Sequence, residues 1–325
     1  MAVVALAIGA CGEDDAGSQA DASVPGDGRN PQAGWVPLPA TPVAIQEIGV
    51  AALGGKIYTV GGFIGSTVTA NVYAYDIASG AWAEVMALPI AAHHVNLAVA
   101  GGKLYVVGAL ATFSFTPVND VYEYDPAQDM WTQKASLPTG FERGASAVGV
   151  IDGVIYVAGG SGAAQSVDQF TSYDPELDTH DTTLPTLPAA LNHLVGGGVG
   201  GKFYAIGGRD IGITGIKNTT YEYDPAQNTW TDKSAMPTAR GGTAAGIVDE
   251  KIIVVGGEGN AAVSSGVFPQ TEMYDPATDT WTSLSDMRTP RHGMGAAGDG
   301  GVLYVPAGAD VQAFGAVDTF EAFTP

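Results

Sequence analysis

The sequence predicts an all-β protein, a six-bladed β-propeller with four antiparallel strands per blade, and three observations predict it. A Tyr-Asp element recurs at Tyr75, Tyr124, Tyr173, Tyr223 and Tyr274, in steps of 49, 49, 50 and 51 residues. An apolar run ending in a glycine doublet keeps the same beat: "IYTVGG" at Gly61-Gly62, "IYVAGG" at Gly159-Gly160, "FYAIGG" at Gly207-Gly208 and "IIVVGG" at Gly256-Gly257, with degraded copies at Gly108-Ala109 and Ala307-Gly308. Seven residues after the tyrosine stand Trp82, Trp131, Trp230 and Trp281, with His180 in the third unit. A period near fifty, built of short apolar runs, turn residues and one aromatic at a fixed offset, belongs to radial arrays of small sheets.

Each unit divides into strands a to d, taken from the axis outward. Strand a is an apolar run after a Pro-rich stretch, as in "GGTAAGIV" from Gly241. A Gly-containing turn leads to strand b, "KIIVVGG", whose terminal glycines permit backbone angles or close approaches that a side chain would forbid. A variable Gly/Ser loop precedes strand c, which ends in Tyr-Asp-Pro. There proline presets φ and the aspartate accepts from the next backbone N–H groups. Strand d carries the Trp, which fills the wedge between sheets and leaves a polar tip to satisfy. The sixth unit ends at "VDTFEAFTP" with no Trp strand, while "GWVPLP" around Trp35 has no unit of its own. Trp35 is therefore expected to supply the outer strand of the last blade, closing the ring and leaving no open edge.

These residues resemble kelch repeats, and six of them in order resemble a six-bladed kelch propeller spanning Trp35 to the end. The resemblance implies a fold and leaves function open.

Composition narrows the function classes. A net charge of −21 excludes DNA and RNA, whose phosphates demand Lys and Arg. The one cysteine, Cys11, closes "MAVVALAIGAC", and Ile8-Gly9-Ala10-Cys11 resembles the lipobox of bacterial lipoproteins, which implies cleavage before Cys11 and its lipidation. Residues 1–11 are accordingly expected to be a signal segment, 12–34 a flexible acidic linker and 35–325 the propeller. Beyond the leader no stretch approaches a membrane span. The expectation is a monomer outside the cytoplasm, lipid-anchored in the bacterial envelope and touching the membrane only through Cys11. Gly12 in place of Asp suggests the outer membrane.

Registering the units on the first residue of each doublet yields columns at the start of strand a. Fifteen positions upstream stand Gln46, His93, Gly144, Asn192, Gly241 and His292. One earlier come Ile45, Ala92, Arg143, Leu191, Arg240 and Arg291, and one later Glu47, His94, Ala145, His193, Gly242 and Gly293. Antiparallel alternation puts the b–c loops on the same face, which brings Arg209 and Glu258 to this rim. Arg143, Arg240, Arg291, Arg209, His94, His193, His292, Glu47 and Glu258 are the candidate ligand-binding residues. Planar arginine forks suit a carboxylate, sulfate or phosphate. The competing role for the three column arginines is structural, bonding loop carbonyls or a neighbouring blade.

The expected function is a binding module for a protein, a glycan or a small acidic ligand, with the variable b–c loops for reach and Phe113 and Phe115 as an apolar lip. The alternative comes from resemblance to sialic-acid mutarotases, extracytoplasmic kelch propellers that handle an anionic sugar with Arg and acidic groups; Glu47, Glu142 or Glu258 would then transfer the proton. The copper radical chemistry of galactose-oxidase-like propellers is excluded, because the only cysteine lies in the leader. No cofactor and no metal is expected. His93 and His94, adjacent on a strand, should point to opposite faces, so that at most one joins a central site.

Overall fold

The first five sequence units each form one four-stranded antiparallel sheet, and the sixth supplies three strands of another, in the computed structural model, which describes residues 34–163 and 165–325. In the first blade the strands are Gly49–Leu53, Lys56–Val60, Val72–Asp76 and Ala81–Val85, hydrogen-bonded in that order. The inner strands of the next five blades are Leu97–Ala100, Ala147–Ile151, Val195–Val199, Ala244–Val248 and Ala297–Asp299. All six line a central channel. The expected leader, Cys11 and nearly all of the linker lie outside the described residues; Gly34, assigned to the linker, opens the first strand.

Closure follows the expected route. Strand Gly34–Leu38 pairs with Phe320–Thr324, with Trp35 opposite Phe323, and so completes the sixth sheet. The two rings pack with centroids 5.0 Å apart.

Two kinds of tie hold blade to blade. The first is apolar: six clusters of buried side chains each straddle one pair of adjacent blades, as where Val60 and Val72 meet Leu104, Val106 and Tyr124. The second is the polar tip of each outer-strand aromatic. Trp82 Nε1 donates to Pro39 O, Trp131 to Met86 O, Trp230 to Pro185 O, Trp281 to Ser234 O and Trp35 to Ser285 O, all at 2.8–3.0 Å. Each acceptor follows the outer strand of the preceding blade. His180 Nε2 makes the equivalent contact with Ala135 O at 2.8 Å, which explains how histidine serves where the other five units use tryptophan.

The turn chemistry reads as expected. Asp125, Asp174, Asp224 and Asp275 each accept from a backbone N–H two residues on, at 2.8–3.0 Å. The doublets allow an approach between blades: a Cβ on Gly256 would sit 2.2 Å from Arg291 O, while Gly257 N donates to that same oxygen at 2.8 Å.

Candidate functional site

One of the columns found in the sequence forms a closed ring about the axis. Glu47, His94, Ala145, His193, Gly242 and Gly293 all adopt left-handed φ of 50–62°. The N–H of each donates to the carbonyl of its counterpart in the preceding blade at 2.5–3.1 Å, and Glu47 completes the circuit by donating to Gly293. Non-glycine residues seldom hold this conformation. Here a circular set of hydrogen bonds maintains it and aims the side chains of the column at the axis. Gly293 is needed for a second reason: a Cβ there would lie 2.5 Å from Glu47 Oε1. Inside the ring lies an axial cavity of about 170 Å³, bounded by Glu47, His94 and His193 and walled by Val95, Ser146 and Thr243 among others.

The polar side chains at this end converge and largely satisfy one another. His94 Nε2 lies 3.0 Å from Glu47 Oε2 and 2.9 Å from His193 Nε2. Arg209 spends its fork here: NH1 donates to Glu258 at 2.5 Å, NH2 to His193 Nε2 at 2.9 Å and Nε to Asn192 Oδ1 at 3.2 Å. His292 Nδ1 faces Glu47 and Glu258 at 3.6 and 3.7 Å. Burial pushes the Glu47 carboxyl up, but His94, which is also hydrogen-bonded to it, and then His292 outweigh it and hold the group well below the usual carboxylate range. Burial, then the Arg209 charge, pushes His193 well down and keeps it neutral. His93 is pushed down to about 4 by burial and then by His94.

Two expectations are corrected. His93 and His94 do not point to opposite faces: the left-handed turn at His94 leaves the rings side by side, with their Nδ1 atoms 2.5 Å apart, and only His94 reaches Glu47. The other concerns Arg143, Arg240 and Arg291, which precede the ring by two residues and point into the blade bodies, each fully buried. Arg143 donates to Phe141 O, Val157 O and Thr171 Oγ1 at 2.8–2.9 Å. Arg240 bonds Gly256 O and Gln270 O and pairs with Glu272 at 2.6 Å. Arg291 bonds Val305 O and pairs with Glu321 at 2.8 Å. Their forks tie strands b and c of one blade, so the structural role describes all three. Arg209, His94, His193, His292, Glu47 and Glu258 are the candidates that the fold brings together.

The sequence places Gln46, His93 and Asn192 in the column but assigns no role to Gln46 or Asn192 and weighs His93 only for the central site. They pin the b–c loops. Gln46 Nε2 donates to Ala313 O at 2.7 Å, and Gln46 Oε1 accepts from Gly315 N at 3.0 Å. His93 Nε2 bonds Thr112 O, His292 Nε2 bonds Val311 O, and Asn192 Nδ2 donates to Ser166 Oγ. Ala313 N donates to Glu258. Over this polar floor sits an aromatic roof: Phe63 packs on His93 at 4.2 Å, Phe115 on His94 at 5.2 Å, and Phe113 stacks on Phe314 at 5.3 Å. The loop tips expose Phe113, Ile211, Val263, Val311 and Phe314, at 43–79 % of their full accessibility.

Residues 47–89, 142–181, 193–237 and 239–288 match the Kelch motif and together make up more than half of the chain. This protein belongs to the kelch-repeat family. The unmatched kelch units are the second and sixth, those with degraded doublets. Kelch-like protein terF of Aspergillus terreus is 35% identical over 210 residues, 62% of this chain and 46% of that protein. Kelch-like protein 15 of Danio rerio is 30% identical over 201 residues, 56% of this chain and 32% of the relative. Beta-scruin of Limulus polyphemus is 31% identical over 113 residues, 33% and 12% of the respective chains. The kelch chain thus spans less than half the length of the curated relatives it matches. Among solved structures, YjhT superposes with a TM-score of 0.73 at 18% identity, over 87% of this chain and 95% of that one, a likeness of fold.

Proposed function

We propose that this kelch propeller is a protein-interaction module whose partner docks on the face formed by the b–c loops. The observation that carries the reading is the inversion of polarity on that face. The charged and imidazole groups are paired with one another at the base of the loops, with His93 and His94 under Phe63 and Phe115, while Phe113, Ile211, Val263, Val311 and Phe314 face solvent on loops anchored from below. Aromatic and aliphatic anchors held by a pre-organised scaffold suit a protein partner. The stacked pair Phe113 and Phe314, each about half exposed, also calls for a covering.

Glycans and small anions fit less well. The three column arginines serve the blades, Arg209 is committed to Glu258 and His193, and Lys217 pairs with Asp210 at 2.6 Å. The isomerase alternative asks for an arginine and a carboxylate turned towards a substrate; here Arg209 and Glu258 are turned towards each other.

Display outside the cytoplasm, on a lipidated Cys11 through the linker, accompanies this reading and rests on the lipobox-like Ile8-Gly9-Ala10-Cys11. Cys11→Ser should move the protein from the membrane to the soluble fraction; unchanged partitioning with the same N-terminus refutes the anchor.

Docking is tested by affinity capture from extracts of source cells. The baits are the wild type, the triple variant Phe113→Ser/Ile211→Ser/Phe314→Ser, and Met130→Ser/Leu177→Ser as a control at the c–d turns. The expected result is a protein retained by wild type and control and lost from the triple variant at unchanged melting temperature. Capture that survives the triple variant overturns the reading, and sugar-array binding that needs Arg209 replaces it with the anionic one.

A further inference from the structure

The geometry points to a binding site for one divalent zinc-class metal ion at the axis, with Glu47 Oε2, His94 Nε2 and His193 Nε2 as its protein ligands. These three donor atoms lie within 4.8 Å of one another, and the side chains belong to equivalent positions of the first, second and fourth blades. The inference is independent of the docking face, and it reverses the expectation of no metal drawn from the sequence.

Hydrogen-bond bookkeeping fixes which atoms carry lone pairs. Thr112 O can only accept, so His93 holds its hydrogen on Nε2, 3.0 Å away, and its Nδ1 presents a lone pair. His94 Nδ1, 2.5 Å from that lone pair, must be the donor. At His193 the acceptor is Asn192 Oδ1, identified as oxygen because it also receives Arg209 Nε, so the hydrogen sits on His193 Nδ1, 2.6 Å away. Both histidines therefore have Nδ1–H groups tied from behind and Nε2 atoms aimed at each other across 2.9 Å, with a carboxylate oxygen 3.0 Å from one of them. Three lone-pair atoms thus meet at a point, and Arg209 NH2 supplies a hydrogen to only one of them, His193 Nε2. A metal ion would bind all three at once, drawing His193 Nε2 away from Arg209 NH2.

A second, independent observation points the same way. His292 is completely buried, with Nε2 fixed on Val311 O, and its Nδ1 has no hydrogen-bond partner although it is directed at Glu47 and Glu258. A buried ring nitrogen left without a partner beside Glu47, one of the three ligands, leaves the polar cluster at this end of the axis unsatisfied. The supporting shell is that of a built site: histidine ligands oriented by an acceptor behind each ring, with His93 and Asn192 as positioning residues. Two imidazoles and a carboxylate suit zinc and its neighbours in the first transition row. Because all three ligands also bound the axial cavity, an open coordination position would face that space.

The full chain, stripped with chelator, is titrated with Co²⁺ while its visible ligand-field absorption is followed. Zn²⁺ content is measured separately after dialysis, and melting temperature with and without Zn²⁺. The inference predicts one ion per chain, a Co²⁺ band displaced by Zn²⁺ and a higher melting temperature with metal. Asn192→Leu should weaken affinity by roughly 10–100-fold, and His94→Ala/His193→Ala should abolish binding. His180→Ala, far from the axis, should leave it unchanged. No Co²⁺ band in the wild type overturns the site without recourse to any variant, and so does equal Zn²⁺ retention by a folded His94→Ala/His193→Ala protein.

Discussion

Arginine shows how one residue type divides between scaffold and site: Arg143, Arg240 and Arg291, at the start of strand a, tie the blades, whereas Arg209, just after strand b, joins the axial cluster. Arg240 is buried against Glu272, which also accepts from Thr238 Oγ1 at 2.7 Å, whereas Arg143 is buried on neutral acceptors alone. Removing Arg240 leaves a carboxylate stranded in the blade, at a cost of about 3–5 kcal/mol. Removing Arg143 strands only carbonyls and a hydroxyl, at about 1–3 kcal/mol. Arg240→Ala should therefore melt well below Arg143→Ala. Arg240→Lys should recover only part of the loss, since one ammonium cannot span Gly256 O, Gln270 O and Glu272 together. Thermal melts of the three proteins check this order, and an equal, negligible loss would put the arginines back in solvent. The sequence placed these residues in the right columns, because columns need only the repeat. It could not show which column faces the axis, since that depends on the left-handed φ at Glu47, His94 and His193, an angle that composition does not advertise. Nor could it foresee that Arg209 and Glu258, from different loops, would pair.

At the scale of the strand, the third blade differs from the others in using His180 at its outer edge. Its Nε2 replaces the indole donor, but its Nδ1 is buried without a partner. His180→Phe, which deletes the tie to Ala135 O, should cost about 1 kcal/mol, and His180→Trp should restore or exceed wild-type stability. Burial lowers the folded pKa of this histidine, despite opposing contributions from Ala135 O and Asp178. The unfolded chain thus binds the proton more readily: the stabilising contribution is complete above the ordinary histidine pKa of about 6.5 and shrinks as pH falls below it. Between pH 7 and 5, His180→Trp should lose less stability than wild type. Equal losses would assign the acid sensitivity elsewhere. Strand boundaries, turns and the Trp-for-His exchange were legible because each repeats in register, and five tryptophan copies define what the sixth position must do.

For the whole molecule, stability depends on a closed ring. Deleting residues through Leu38 removes the outer strand of the sixth blade, frees the edge of Phe320–Thr324 and takes away the Trp35 tie to Ser285 O. A lower melting temperature and aggregation through that edge should follow, and an unchanged melt would show that closure contributes nothing. The same closure makes the b–c face a rigid platform, since the circular backbone ring fixes the polar floor and the floor fixes the loops. On that platform the apolar tips meet a protein partner under the proposed function. The most direct measurement is photo-crosslinking from a residue placed at Ile211, among the exposed tips, against the same residue at Leu177 on a c–d turn, both in source cells. A discrete protein adduct from position 211 with none from 177 is the predicted result; adducts from 177 alone, or identical patterns from both, would contradict it.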